Sequence, residues 1–339
     1  MTVSVHYMGA GTQGGIIGGA CAAKQPLGPC TPPEAALRAS ELDAGATEKP
    51  TKKAAPTPVL SASTHPRYNR PPLGARATSD GAQEPLAVER SRAGFRVEEI
   101  VLTAASLQPG APPLRFAHLT DLHLRSLRKR HERLVSTVNE RRPDFVCLTG
   151  DIIGSHPETW ELVVRLVSRF ECRHGVFACP GNWEAKSGRR TAEMKRWMAR
   201  CGVELLVNEC RVVETPAGAV RVSGVDDLAR GWPNFAEALS CDSGARYSIL
   251  LSHAPLSARM IGQEPGVDLV LSGHTHGGQV RVPLLWRMAL PSCHGGFVAG
   301  LYRMPYGWLY VSRGFGGAAW MPFRFRSPAE VAFFEVRPA

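Results

Sequence analysis

The chain has 339 residues, of which 44% are apolar and 21% charged, enough apolar side chain for a sizeable buried core in one large domain or two. No run of about 18 uninterrupted apolar residues occurs, which excludes a membrane-spanning helix on length. Forty basic against thirty acidic residues give a net charge of +10 and a pI near 9.4, favouring anionic partners such as nucleic acid, phosphorylated substrates or an acidic membrane surface.

In chain order, residues 1–92 come first. They are rich in Ala, Gly, Pro, Ser and Thr, nearly free of aromatics and without sustained apolar periodicity. Such a segment cannot bury enough surface to offset its conformational entropy, so a disordered tail over 1–92 is expected ahead of a folded domain over 93–339. The apolar stretch 14–23 lacks a basic flank and is too rich in glycine for a convincing signal peptide. Nine cysteines are scattered through the chain with no C-x-x-C pair, so a disulfide framework or zinc ribbon is not expected. They read as small buried hydrophobes in a reducing compartment.

After residue 95 short apolar runs alternate with helical periodicity. Strands are expected over 115–120, 145–149, 175–179, 220–225, 248–252, 269–272, 309–312 and 331–336. Helices are expected over 129–141, 159–170, 192–201 and 235–239, where apolar residues recur at three- and four-residue spacing. That alternation predicts an α/β layered fold.

Polar residues cluster where five of these strands end: Asp121 and His123, Gly150-Asp151, Gly181-Asn182-Trp183-Glu184, Ser252-His253, and Gly273-His274-Thr275-His276-Gly277-Gly278-Gln279. Ligands of open α/β sheets sit outside the carboxyl ends of strands, so the five endings are candidates for one rim. Asp121, His123, Asp151, Asn182, His253, His274 and His276 offer carboxylate, amide and imidazole donors in a number that suits two metals sharing a carboxylate. Mixed oxygen and nitrogen donors without thiolate point to manganese, iron or zinc rather than calcium or structural zinc. Two such ions suit phosphoryl chemistry.

Together these five blocks resemble those of the calcineurin-like metallophosphoesterases. The run Gly273–Gln279 and the later Val311-Ser312-Arg313-Gly314-Phe315-Gly316 are similar to the bacterial branch that includes phosphodiesterases and some UDP-2,3-diacylglucosamine pyrophosphatases of lipid A biosynthesis. The resemblance covers residues 96–336. It implies two β-sheets packed face to face and flanked by helices, with two divalent metal ions at one edge. One ion would be held by Asp121, His123, Asp151 and His276, and the other by Asp151, Asn182, His253 and His274. Asp151 would bridge them, and a hydroxide between the ions would attack phosphorus in line with the leaving oxygen.

The third block departs from the family. A histidine usually follows the asparagine, and here Trp183 stands in its place. Indole only donates a hydrogen bond and cannot transfer a proton. Glu184, His118 and His294 are the candidates to replace it, and a leaving group that is already a stable anion would suffer least. Trp183 itself either stacks on a substrate base or sugar or packs against the rim. Arg125, Arg128, Lys129 and Arg130 follow the first block and Lys186, Arg189 and Arg190 the third; they either bind a second phosphate or acidic headgroup or form a solvated helix start. Residues 320–326 alternate apolar and basic side chains, a pattern of core packing or of an interfacial contact with an acidic membrane.

The expected function is metal-dependent hydrolysis of a phosphodiester or pyrophosphate bond in a phosphorylated small-molecule or lipid-linked nucleotide substrate. The expected location is the cytoplasm, with peripheral contact at the inner membrane face. A nucleic-acid or cyclic-nucleotide phosphodiesterase is the enzymatic alternative. A metal-retaining regulatory protein that has lost turnover is the alternative of another class.

Overall fold

The computed structural model describes residues 89–90, 94–154, 159–241, 244–261, 266–283, 286–318, 321 and 323–339. The expected tail therefore lies outside the described residues, except that Glu89–Arg90 form a short strand, β1. Strands β2 (Arg96–Ala104), β3 (Leu114–Leu119), β4 (Phe145–Thr149), β5 (Val176–Cys179) and β6 (Val203–Leu205) follow. Next come β7 (Glu209–Thr215), β8 (Gly218–Gly224), β9 (Tyr247–Leu251), β10 (Leu269–Ser272), β11 (Gly300–Arg303), β12 (Trp308–Val311) and β13 (Glu330–Pro338).

They form two sheets. One is ordered β1-β2-β13-β3-β4-β5-β6 and the other β11-β12-β10-β9-β8-β7. In the first, β3 to β6 run parallel and β13 returns antiparallel beside β3. In the second, β8, β9, β10 and β12 run parallel.

Strands β4, β5, β9, β10 and β12 read as continuous apolar runs because both of their faces are covered. Side chains alternate along a strand, so β4 sends Phe145 and Cys147 between the sheets and Val146 and Leu148 to the outer face. β3 and β13 do the same, and Phe116 stacks on Phe145 and Phe334 with ring centroids 5.2 and 4.8 Å apart. From the second sheet Ile249, Leu251, Leu269, Leu271 and Tyr310 meet them.

Outside the first sheet lie the helices α1 (Lys129–Glu140), α2 (Thr159–Val167) and α4 (Thr191–Ala199), seated through Leu134, Val138, Trp160, Val163, Met194 and Met198. The short α3 (Asn182–Lys186) falls between α2 and α4 in the chain. Outside the second sheet, α5 (Phe235–Ala238) and α6 (Ser257–Met260) contribute Ala238 and Ala258 to a third cluster. The result is the expected face-to-face pair of sheets with helices on both outer sides.

Strands β1, β2, β6, β7 and β11 are not among the expected ones, and the reading of the cysteines needs correction. β2 escapes the sequence reading because Glu98 interrupts its apolar alternation. That carboxylate is nonetheless fully buried, 3.0 Å from Arg96 and 3.5 Å from Arg313. Cys210 and Cys241 are not thiols: they form a disulfide, with Cα atoms 6.0 Å apart, tying β7 to the loop after α5. A separation of 31 residues hides that pairing from the sequence. Among the described residues no helix is long and apolar enough to cross a membrane.

Phe116 is the centre of the inter-sheet stack, so Phe116→Ala should cost about 3–5 kcal/mol of unfolding free energy in a urea titration. A loss under about 1 kcal/mol would contradict close packing between the sheets.

Candidate metal centre

The expected donors do converge. Asp121 and His123 follow β3, Asp151 follows β4, Asn182 opens α3 just after β5, His253 follows β9, and His274 and His276 follow β10. All seven are buried. Ligand atoms of Asp121, His123 and His276 lie within 4.8 Å of one another, as do those of Asp121, Asp151 and His253.

Asp151 Oδ2 stands between the two groups, 3.6 Å from His123 Nε2 and 3.4 Å from His253 Nε2. Its other oxygen accepts the Trp183 backbone N–H at 2.7 Å, so a single oxygen faces both halves. His123 Nε2 and His276 Nε2 approach to 3.2 Å, Asn182 Oδ1 lies 3.3 Å from His253 Nε2, and His274 Nδ1 lies 3.0 Å from it.

The donor set fits metal ions. His253 turns Nδ1 to the Thr149 carbonyl at 2.8 Å and His274 turns Nε2 to the Ser292 carbonyl at 2.8 Å. Each carbonyl takes the N–H, which fixes the ring and leaves the opposite nitrogen's lone pair aimed into the cluster, ready to bind a metal ion. Asp121 Oδ1 is buried with no hydrogen-bond partner, yet sits 3.4 Å from His276 Nε2. An unpaired buried carboxylate oxygen is costly unless a cation faces it.

The electrostatics agree. Burial raises Asp121 to about 6, with the Asp151 carboxylate adding to the rise and His253 opposing it. Burial works against the charge on His253, but the Asp151 carboxylate beside it pushes it up to about 10. Burial would raise Asp151 as well, and the neighbouring His253 instead holds it below its ordinary value. His123 and His274 are each lowered to about 4, first by burial, and so present neutral imidazoles.

Five of the seven donors, Asp121, His123, Asp151, His274 and His276, have φ between 42° and 69°. Such left-handed backbone is strained for residues with a Cβ and persists only where surrounding contacts impose it. The loops impose it by close approach. A Cβ on Gly150 would come within 2.5 Å of Gly181 N, and one on Gly273 within 2.4 Å of Asp121 Oδ2. The 311–316 segment noted in the sequence braces the first loop, with Phe315 N–H donating to the Thr120 carbonyl and Gly316 N–H to the Asp121 carbonyl.

Glu184 corrects the sequence reading. It is fully buried, and its two oxygens accept four backbone N–H groups, from Asp151, Ile152, Ile153 and Gly181, at 2.8 to 3.1 Å. Those bonds saturate it, so it clamps the Asp151 loop and caps α3 rather than donating a proton to substrate. His118 is also misplaced as a proton donor. It points between the sheets, edge-on to Tyr310, with Nε2 2.8 Å from Thr149 Oγ1, and burial lowers it to about 3. His294 is half-buried, and its Nδ1 accepts the Gly296 N–H at 3.0 Å.

Trp183 both packs and lines the site. Its ring meets His123 edge-on at 5.7 Å, and Lys186 Nζ lies 4.9 Å over it.

A cavity of about 720 Å³ opens over the donors. His123, Asp151, Asn182, His274 and His276 line its metal end, with Lys186 and Arg230 as cations. Trp183, Val280, Val282, Trp286, Pro291 and Met321 make an apolar wall. Sequence reasoning missed Arg230, which follows the end of β8; the strand-end rule that located the other loops applies there too. It also missed Trp286, which carries no motif.

A family model described as calcineurin-like phosphoesterase matches residues 114–278. The chain is 32% identical over 226 residues to a metallophosphoesterase of Bacillus subtilis, YkuE, across 65% of this chain and 76% of that one. It is 33% identical over 235 residues to a Helicobacter pylori metallophosphoesterase, across 66% of this chain and 60% of that one, so it spans about three-fifths of that relative's length. It is 28% identical over 223 residues to the Escherichia coli phosphodiesterase YaeI, across 62% of this chain and 78% of that one.

Two substitutions separate binding from scaffolding. Asp151→Asn should keep the fold and lower the manganese bound per chain, read by calorimetry, because Oδ2 faces both halves of the cluster. Glu184→Ala should strand four buried N–H groups at about 1–3 kcal/mol each and lower the unfolding midpoint as well as metal binding. A Glu184→Ala protein with unchanged stability would sink the clamp.

Proposed function

The chain belongs to the calcineurin-like metallophosphoesterases, and from that membership we propose that it hydrolyses a phosphodiester or pyrophosphate bond in an amphiphilic, lipid-linked nucleotide substrate of the UDP-2,3-diacylglucosamine kind. One observation carries the substrate class: the cavity has a metal-binding end with Lys186 and Arg230, and a wall of Val280, Val282, Trp286, Pro291 and Met321. A charged head and an apolar body match those two surfaces.

Asp121, His123, Asp151 and His276 would hold one divalent ion, and Asp151, Asn182, His253 and His274 the second. When bound, the ions supply an activated water and neutralise charge on the attacking and leaving oxygens. Lys186 and Arg230 neutralise phosphate oxygens from the protein side. Trp183 shields the reacting centre from one side while its backbone N–H fixes Asp151. Trp183 moves no proton, Glu184 is saturated, His118 points between the sheets and His294 does not line the cavity, so the leaving group departs as a stable anion such as a nucleoside monophosphate or aryl oxide.

The same mouth supports contact with an acidic membrane. Gln279 Nε2 donates to the Phe323 carbonyl and Arg281 N–H to the Phe325 carbonyl, which brings the two apolar loops together. They expose Val282, Met288, Phe323 and Phe325, Met288 to 84%, with Arg326 stacked on Phe325 and Arg287 on Trp286. Aromatic and aliphatic side chains interleaved with arginine suit a lipid interface.

Purified protein should hydrolyse bis(p-nitrophenyl) phosphate with manganese and lose that activity in chelator and in Asp151→Asn. Alkyl phosphodiesters should react roughly 100-fold or more slowly than aryl ones, the usual size of a missing general acid; equal rates would mean another residue supplies the proton. The chain should also sediment with vesicles containing anionic phospholipid, and Met288→Ser with Phe323→Ser should release it. Sedimentation unaffected by those changes would remove the membrane contact.

A further inference from the structure

On the other side of His123 lies a second cleft, of about 370 Å³, that the chemistry above does not use. Arg125, Arg128, Arg130 and Arg324 line it together with His131, and no acidic residue does. His123 borders this cleft and the main cavity alike.

The four guanidinium groups are not equivalent. Arg324 is consumed by the fold: it donates to the carbonyls of His276, Gly314, Gly316 and Ser327. The other three face no carboxylate within ion-pair distance among the described residues. Arg128 spends Nε on Ser126 Oγ at 3.2 Å. Arg130 lies over the Phe315 ring at 4.8 Å, and its Nε is buried with no hydrogen-bond partner. Arg128 and Arg130 sit at the start of α1, which Leu134 and Val138 anchor in the core, so the cations are held by a rigid element.

Arg128 and Arg130 bring like charge to one small cleft and repel one another. Burial, followed by Arg128, already acts against the charge of Arg130. Planar guanidinium groups match phosphate oxygens in pairs, and an anion placed among them would relieve both the repulsion and the unpaired Nε.

Resting on the phosphoesterase reading, we infer that this cleft is a second-phosphate subsite, which takes the phosphate next to the one at the metal centre. The substrate class is then a diphosphate compound, in which the scissile phosphorus is linked to a second phosphoryl group, rather than an isolated phosphodiester. The arginine cleft shares His123 with the cavity that carries the apolar wall, one surface for the second charge and one for the hydrophobic part.

The test is calorimetric titration of the manganese-loaded full chain, freed of excess metal, with AMP and with α,β-methylene-ADP. The diphosphate analogue should bind at least roughly tenfold tighter, the scale of a pair of charge-assisted hydrogen bonds. Arg125→Gln with Arg128→Gln, both exposed positions, should erase that difference and leave AMP binding within about twofold. Arg165→Gln with Arg196→Gln, which removes equal charge from α2 and α4, should leave the difference intact. Equal binding of the two nucleotides by the unmodified chain would overturn the subsite, as would equal weakening of both in the cleft variant. Failure to hydrolyse bis(p-nitrophenyl) phosphate would instead sink the phosphoesterase reading, and the titration is read independently of it.

Discussion

Two buried carboxylates, Asp121 and Asp151, and four buried imidazoles aimed at one small volume are the constraint around which this molecule is organised. Like charges and lone pairs that close together are unfavourable in a low-dielectric interior unless cations lie among them. The crowding shows in the titrations: burial raises Asp121 to about 6, and the Asp151 carboxylate raises His253 to about 10 against the effect of burial. The backbone shares the strain, since five donors are held at positive φ. Local propensity would not choose that conformation, so something outside the loops has to hold it.

What holds it is a set of buried polar anchors behind the donors. Glu184 gathers four N–H groups from the second and third loops into one carboxylate. Glu330 accepts from Tyr310 Oη, from the Arg313 backbone and from the Arg313 guanidinium, fixing the segment whose next residues bond to Thr120 and Asp121. Arg324 satisfies the carbonyls of that same segment and of His276. These side chains take no part in chemistry, but each fills backbone valences that irregular loops would otherwise bury unpaired.

The site also lies on the seam of the sandwich. The first sheet supplies Asp121, His123, Asp151 and Asn182, and the second supplies His253, His274 and His276. Neither sheet carries a complete set of donors. The aromatic stack around Phe116 and its contacts with the second sheet therefore serve function as well as stability, because they set the spacing between two half-sites. The cavity above inherits a mixed character from the same seam, with Lys186 from one half and Val280, Val282 and Trp286 from the other.

Much of this was legible in the chain itself. Apolar runs placed eight strands within a few residues, and the donors at strand ends include Asp121, His123, Asp151, His253 and His276, whose ligand atoms the fold gathers, with Asn182 and His274 beside His253. Both signals are local: a strand's hydrophobicity and a ligand's chemistry are written in consecutive residues. Other features depend on partners far along the chain. β2 was hidden because Glu98 reads as solvent-facing until Arg313, more than two hundred residues later, is beside it. Glu184 and His118 looked like proton donors because a carboxylate and an imidazole show their valences only once the neighbours are placed. Cys210 and Cys241 read as separate thiols until β7 and the loop after α5 came together. Periodicity and residue chemistry, both local, were enough for the layered fold and for the candidate metal donors. Only the tertiary structure decided which buried charges are scaffold and which face the substrate, because hydrogen-bond saturation is a property of neighbours in space.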